Sequence, residues 1–335
     1  MLKRATTMQE VAEQAGVSKA CVSAVLGGNT RHVRVSESTR KRIEDTAAKM
    51  HYRPNAIAQS LRRQSTNIYG FYNGGGYMDI HSPFLSQVLT GLQAGCEDHQ
   101  KDLLLHSVFR GSSVDDIYSE LCNGRIDGLV LIGTAEDPLV CRLVDSHLPV
   151  IAVTDAISTL PSVTADDESG SRQIVEFLVA QGHRRILYRM HDQAYVSVAR
   201  RQAALLRLAA GAGIEVVAWA VGLHLTEADT IEFDTLLTGP ATVRPTAIVS
   251  WCDDTAYEML VRCQHLGLRV PEDIGIIGFD GLPVPIWSPY RLTTIAADWH
   301  GVAQVAVRLL SARIAGENVP QETILPVTLQ RGNTA

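Results

Sequence analysis

Nowhere in these 335 residues do about 18 uncharged apolar residues run together, which excludes a membrane-spanning helix. The start, Met1-Leu2-Lys3-Arg4, leads into a mixed polar helix pattern without an apolar leader, so a cytoplasmic protein with no membrane partner is expected. The six cysteines (21, 96, 122, 141, 252 and 263) show neither C-x-x-C spacing nor a Cys/His cluster. That pattern argues against a zinc site and against a disulfide framework, and predicts reduced, mostly buried thiols. The eleven histidines are dispersed, and HExxH, GxSxG and Walker sequences are absent. No enzyme, metal or other cofactor is therefore expected.

Taken as a total, a formal charge of −6 argues against a nucleic-acid partner, but the charge is unevenly placed. Residues 1–65 hold 12 Lys and Arg against 5 Asp and Glu, while residues 66–335 hold 18 against 31. A small basic module of net +7 is thus attached to a large acidic body of −13. A compact basic module attracts a polyanion because each neutralised phosphate releases condensed counterions. A solvated basic tail is the alternative, and the pattern inside the segment speaks against it.

Thr6 or Thr7 can cap a helix beginning near Met8, with Met8, Val11, Ala12 and Ala15 on one face. Gly16 stops it, Val17 sits in the turn, and Ser18 caps a second helix whose inner stripe is Cys21, Val22, Val25 and Leu26. Two short helices joined by a glycine-containing turn form a helix-turn-helix, whose second helix enters the major groove of double-stranded DNA. Its outward positions are Lys19, Ala20, Ser23 and Ala24. Ser36 with Glu37 starts a third helix with Ile43, Ala47 and Met50 inside.

Four blocks in order carry a more specific signal: Thr7-Met-Gln-Glu-Val-Ala-Glu-Gln-Ala-Gly-Val-Ser18, Val22-Ser23-x-Val25-Leu26, Val35-Ser36-x-x-Thr39-Arg40 and Tyr52-Arg-Pro-Asn-Ala-Ile-Ala-Gln-Ser-Leu61. Together they resemble the DNA-binding headpiece of the LacI/GalR family of transcription regulators. The resemblance implies that Lys19, Ala20 and Ala24 face base edges, with Cys21 in the same helix, while Thr7, Ser18, Ser23 and Thr39 hold phosphates. Most relatives carry Arg where Ala24 stands, and only Arg reads guanine by a bidentate contact there. The loop from Gly27 to Val35 is longer than the family's archetype and brings Arg31, His32 and Arg34. It either adds phosphate contacts or is a solvated insertion.

Asn55 to Arg63 form the linker. Pro54 ends the preceding helix, Asn55 is a good N-cap, and so short a helix is marginal in water, so a conditional helix is expected. In the family this hinge helix lies in the minor groove with a leucine wedged between base pairs, which assigns the wedge to Leu61 and the approach surface to Ala58. Packing of Leu61 onto the body is the alternative. Domain boundaries are set at 1–53 for the headpiece, 54–66 for hinge and linker, and 67–335 for the body.

From Asn67 onward, apolar runs at 68–72, 103–107, 128–132, 150–153, 186–188, 247–251 and 274–279 alternate with helical stretches. The alternation predicts βαβ units, and the length predicts two doubly wound parallel-sheet subdomains facing a cleft: an α/β sensor behind an all-α headpiece. Here too the sequence resembles the family and periplasmic sugar-binding proteins, through Ser82-Pro-Phe84, Arg125-Ile-Asp-Gly-Leu-Val-Leu131, Val163-x-x-Asp166-Asp167-x-x-Gly170, Gly182-His-Arg-Arg-Ile186, Gly278-Phe-Asp280 and Leu329-Gln-Arg331. No heptad tail follows, so a homodimer is expected.

The resemblance places the family's ligand arginine on Arg201 and its ligand aspartate on Asp280; a structural ion pair is the alternative for each. It puts Trp299 on one pocket wall and His81 with Ser82 on the other. Phe84 belongs to the Ser82 block, and Tyr195 can join the aromatic wall, as can Tyr77, Trp251 and Trp287, with core packing the alternative for each. Cys252 precedes Asp253 where relatives often have Asn, so a relative's effector does not carry over. The Gly74-Gly75-Gly76 run lacks phosphate-loop spacing and reads as a cleft-edge loop. The expected function is a sequence-specific transcription regulator, a repressor, binding a pseudo-palindromic operator as a homodimer and answering a sugar or sugar derivative. A corepressed regulator sensing a purine is one alternative, and a solute-binding protein another.

Overall fold

The computed structural model describes every residue except 1–3, 5, 28–34, 75–80, 107–111, 193–194, 223, 241 and 284–287. It divides into two compact units, Met1–Asn67 and Ile68–Ala335.

The first unit is built from capped helices. In α1 (Met8–Ala15), Thr7 and Glu10 form a capping box, which settles the choice between Thr6 and Thr7. Gly16, at φ 63°, closes the helix in the left-handed region that favours glycine. Ser18 caps α2 (Lys19–Leu26) and Ser36 caps α3 (Glu37–Lys49), each through its hydroxyl. Val11, Val22 and Ile43, all fully buried, join the three helices in a small core. Each such burial contributes about 1.5–3 kcal/mol. The hinge segment forms α4 (Ala56–Arg63), where the Asn55 side chain accepts the Ala58 N–H at 3.3 Å.

The second unit runs β1 (Ile68–Asn73), α5 (Pro83–Asp98), β2 (Asp102–Leu105), α6 (Val114–Leu121), β3 (Gly128–Ile132), α7 (Pro138–Val144), β4 (Val150–Thr154), β5 (Ser162–Ala165) and α8 (Asp167–Ala180). It continues with β6 (Arg185–His191), α9 (Val196–Gly211), β7 (Glu215–Val221), α10 (Glu227–Thr238), β8 (Ala247–Ser250), α11 (Asp253–His265) and β9 (Gly275–Asp280). It ends with β10 (Thr293–Ala297), α12 (Trp299–Ile314), β11 (Glu322–Leu325) and β12 (Val327–Gln330). The strands form two six-stranded sheets, ordered β11-β5-β4-β3-β1-β2 and β12-β10-β9-β8-β6-β7. Every pairing is parallel except β10 with β12.

These are the two doubly wound subdomains that the alternation implies, and the chain passes between them after β5, before α12 and between β11 and β12. Five strands lay outside the seven apolar runs. Of these, β11 and β12 are sheet edges with half-exposed residues and β5 and β10 are rich in Ser and Thr, so these four do not read as apolar runs, whereas the edge strand β7 does carry one, at 216–221, that was not singled out above. Helices α5 and α12 pack on the first sheet so closely that a Cβ at Gly91 would strike the carbonyl of His300.

Candidate functional site

Two surfaces concentrate the residues singled out above. On α2, Ser18, Lys19 and Ala20 are exposed, leaving the start of the helix open to a groove. Cys21 is half-buried against the headpiece core. Thr7 and Ser18 are N-caps, and the Thr39 hydroxyl sits 2.9 Å from that of Ser36, so all three hydroxyls lie at helix starts. Ala24 departs from expectation: it is buried, with 6% exposure, rather than facing outward. Beside it, α4 engages both Ser23 and Gly27: Arg62 donates to the Ser23 hydroxyl at 3.2 Å and to the Gly27 carbonyl at 3.0 Å. On the hinge helix, Ala58 is exposed and Leu61 is 78% exposed, so nothing in its own unit covers that leucine. Arg31, His32 and Arg34 lie outside the described residues.

In the second unit a cavity of about 310 Å³ opens at the carboxyl ends of the strands, the place where ligands of doubly wound sheets bind. Asn73, Ile132 and Thr154 end β1, β3 and β4 on one side; His191 and Asp280 end β6 and β9 on the other, with Trp251 and Cys252 just past β8. Helix starts complete the wall with Ser82, Phe84 and Leu85 (α5), Tyr195, Ser197 and Arg201 (α9), Asp254 (α11) and Trp299 (α12). Seven of the eight expected residues therefore meet here: Ser82, Phe84, Tyr195, Arg201, Cys252, Asp280 and Trp299. His81 does not line the cavity, because the wall at that point is made by the capping hydroxyl of Ser82 and the first turn of α5. Trp251 joins the wall, whereas Tyr77 and Trp287 fall outside the described residues. Asn73, Leu85, Ile132, Thr154, Asp155, His191, Ser197 and Asp254 were not foreseen; most lie at or just after a strand end, which is their one sequence signal, while Leu85 and Ser197, in the first turns of α5 and α9, carry none.

Aromatic rings bracket the cavity from both subdomains. Phe84 meets Trp299 edge-on at 5.1 Å, and His191 meets Trp251 at 4.9 Å and Tyr195 at 5.8 Å. The indole N–H groups of Trp251 and Trp299 are buried without a hydrogen-bond partner among the described residues. Two lining residues hold positive φ, Thr154 at 75° and Asp280 at 130°, conformations that concentrate at functional sites.

The charges are largely compensated within the protein. Arg201, 5% exposed, donates through Nε to Asp167 at 2.7 Å and through Nη1 to the Trp251 carbonyl at 2.6 Å, and lies 3.5 Å over the Phe279 ring. The ion-pair alternative for Arg201 is what the structure shows, and the residue also lines the cavity. Asp155 accepts the N–H groups of Ala156, Val196 and Ser197 at 3.0, 2.9 and 2.7 Å. Tyr195 offers α9 no side-chain cap, so Asp155 caps it from the other subdomain. Burial raises the Asp155 carboxyl, against those three hydrogen bonds. Burial raises Asp280 well above the carboxylate range, although Arg201 opposes it. Burial lowers the His191 imidazole, with Asp192 opposing, and pushes the Cys252 thiol up to about 12, so this cysteine is no nucleophile.

Comparison with known proteins places these surfaces. Residues 7–55 match the model of the bacterial regulatory proteins of the lacI family, and residues 175–334 match a periplasmic binding protein-like domain. Catabolite control protein A of Priestia megaterium is 27% identical over 328 residues, covering 95% of each chain. The HTH-type transcriptional repressor CytR of Escherichia coli strain K12 is 28% identical over 330 residues, covering 94% of this chain and 92% of its own. Among solved structures, the lac repressor dimer bound to operator and the anti-inducer ONPF superposes with a TM-score of 0.82 at 25% identity, covering 99% of both chains.

Proposed function

Because this chain belongs to the lacI family of bacterial regulatory proteins, we propose that it is a sequence-specific transcription regulator whose operator affinity is set by a small hydroxylated effector held in the cavity. One observation supports this most strongly. The same chain holds a capped recognition helix with Lys19 and Ala20 open, a hinge helix with Leu61 open, and a ligand-sized cavity between two subdomains. The protein acts in the cytoplasm as a homodimer on a pseudo-palindromic operator, as the lac repressor dimer is bound to its operator. Lys19 and Ala20 meet base edges, hydroxyls at the helix starts of α1, α2 and α3 hold phosphates, and Leu61 wedges the minor groove.

Effector binding between the subdomains changes how they close, and through the dimer it changes the spacing of the two hinges. Coupling of this kind shifts affinity by ~1–3 kcal/mol. Relief of repression by the effector is the expected direction.

The test is selection of bound sites from random DNA by the full-length protein, followed by anisotropy titrations at several salt concentrations. A palindromic site, a dimer and a steep fall of affinity with salt are expected. A monomer at micromolar concentration, or binding indifferent to salt, overturns the reading.

A further inference from the structure

The described residues of the cavity offer a ligand no uncompensated positive charge. Among the described lining residues, Arg201 is the one arginine or lysine, and it is committed to Asp167 in an ion pair whose side chains are 6% and 5% exposed. His191, the other basic group, is held toward its neutral form by burial and lies 3.1 Å from Asp192.

Helix starts, which elsewhere attract anions, are already occupied. The first amides of α9 donate to Asp155, and those of α12 donate to Asp298, at 2.8 Å for Gly301. The Asp280 carboxyl accepts the first amide of α11. Asp254 then adds an exposed carboxylate to the wall. The other donors on the described wall are uncharged, among them the hydroxyls of Ser82, Thr154, Tyr195 and Ser197 and the buried indole N–H groups of Trp251 and Trp299 beside the aromatic faces.

We infer that the effector is an uncharged, hydroxyl-bearing ring compound, and that the site discriminates against sugar acids, sugar phosphates and nucleotides. The inference rests on the reading of this cavity as the effector site. Oxygen atoms of a neutral ring accept from the two indoles, and its hydroxyls donate to the wall carboxylates. An added carboxylate or phosphate meets Asp155 and Asp254 at close range and finds no free cation in exchange, and like-charge juxtaposition of this kind is a strong discriminator. Arg201 is on this account a positioning residue that holds Asp167, the Trp251 carbonyl and the Phe279 ring in place. A sugar and the ribose of a nucleoside share this chemistry, and separate arms of the test tell them apart.

The experiment is calorimetric titration of the full-length protein with hexoses, pentoses, disaccharides and ribonucleosides, each beside its uronate, aldonate or phosphate counterpart, with operator anisotropy measured in parallel. The tightest binder is expected to be uncharged and its anionic counterpart at least roughly tenfold weaker. The arm in which that binder appears identifies the source.

An anion as tightest binder overturns the inference and leaves the effector site standing. If nothing in the panel binds or moves operator affinity, the effector reading beneath it falls as well. Asp254→Asn, at an exposed position in the first turn of α11, should narrow the preference for the neutral ligand severalfold, and Asp155→Asn is the second probe. An unchanged preference in both variants removes electrostatics as its cause.

Discussion

Asp155 and Ser197 stand on opposite sides of the sensor cleft and are joined by a 2.7 Å hydrogen bond from the Ser197 N–H to the Asp155 carboxylate. With Val196 bonded at 2.9 Å to the second oxygen, one subdomain caps a helix of the other. Asp155→Ala should cost roughly the 0.5–2 kcal/mol of a lost cap. The effector response should fall more than the melting temperature does, because closure loses its tie. Calorimetric melting with effector titration checks this; an unchanged response means that the cap is only structural.

Arg201→Ala should be more damaging than a lost ligand contact. Asp167, itself buried and raised by that burial, would lose the cation that opposes it, and breaking a buried pair in this way costs about 3–5 kcal/mol. Replacing both partners with apolar residues, Arg201→Met with Asp167→Leu, should recover much of the melting temperature. If the single variant melts like the parent, the ion pair is not structural.

Asp253 is held near pH 7 by burial, despite hydrogen bonds from the Thr294 hydroxyl and the Leu282 N–H. Its folded value lies above its unfolded value, so the folded state binds more protons between about pH 4 and pH 7. This group therefore contributes stability at low pH that is lost as pH rises through that window. Asp253→Asn removes the dependence. The melting temperature of the variant relative to the parent should rise from pH 5 to pH 8, and a constant difference would contradict the sign.

Leu61→Ala should leave melting within the ~0.5 kcal/mol typical of exposed positions, since the side chain is 78% exposed. Specific operator binding should weaken severely while non-specific binding changes little. Anisotropy on operator and scrambled duplexes decides it, and unchanged operator affinity removes the wedge.

Ala24→Arg should destabilise the headpiece by about 1–3 kcal/mol, because a long charged side chain replaces a methyl group at a position only 6% exposed. Only in a background of Arg62→Ala should the new arginine reach DNA and shift preference toward guanine. Selected-site sequencing of the single and double variants, with melting curves, separates the two effects; a guanine shift in the single variant would show that the face is open.

The headpiece was legible because its elements are local. Caps at Thr7, Ser18, Ser36 and Asn55 and stripes such as Val11-Ala12-Ala15 act within a few residues of themselves, so their positions follow from spacing. The alternation of apolar runs likewise disclosed two parallel sheets, and the resemblance to the family, not spacing, marked seven of the residues that line the cavity.

What the linear order withheld depends on residues that meet only in the fold. Ala24 read as an outward position because helical periodicity does not report how the folded headpiece buries it. The pairing of Arg201 with Asp167, the capping of α9 by Asp155 and the burial that shifts Asp253 and Asp280 all join separate elements. The kind of regulator this is follows from short-range pattern. The charge its effector can carry follows from desolvation and pairing across the cleft, which the tertiary structure alone decides.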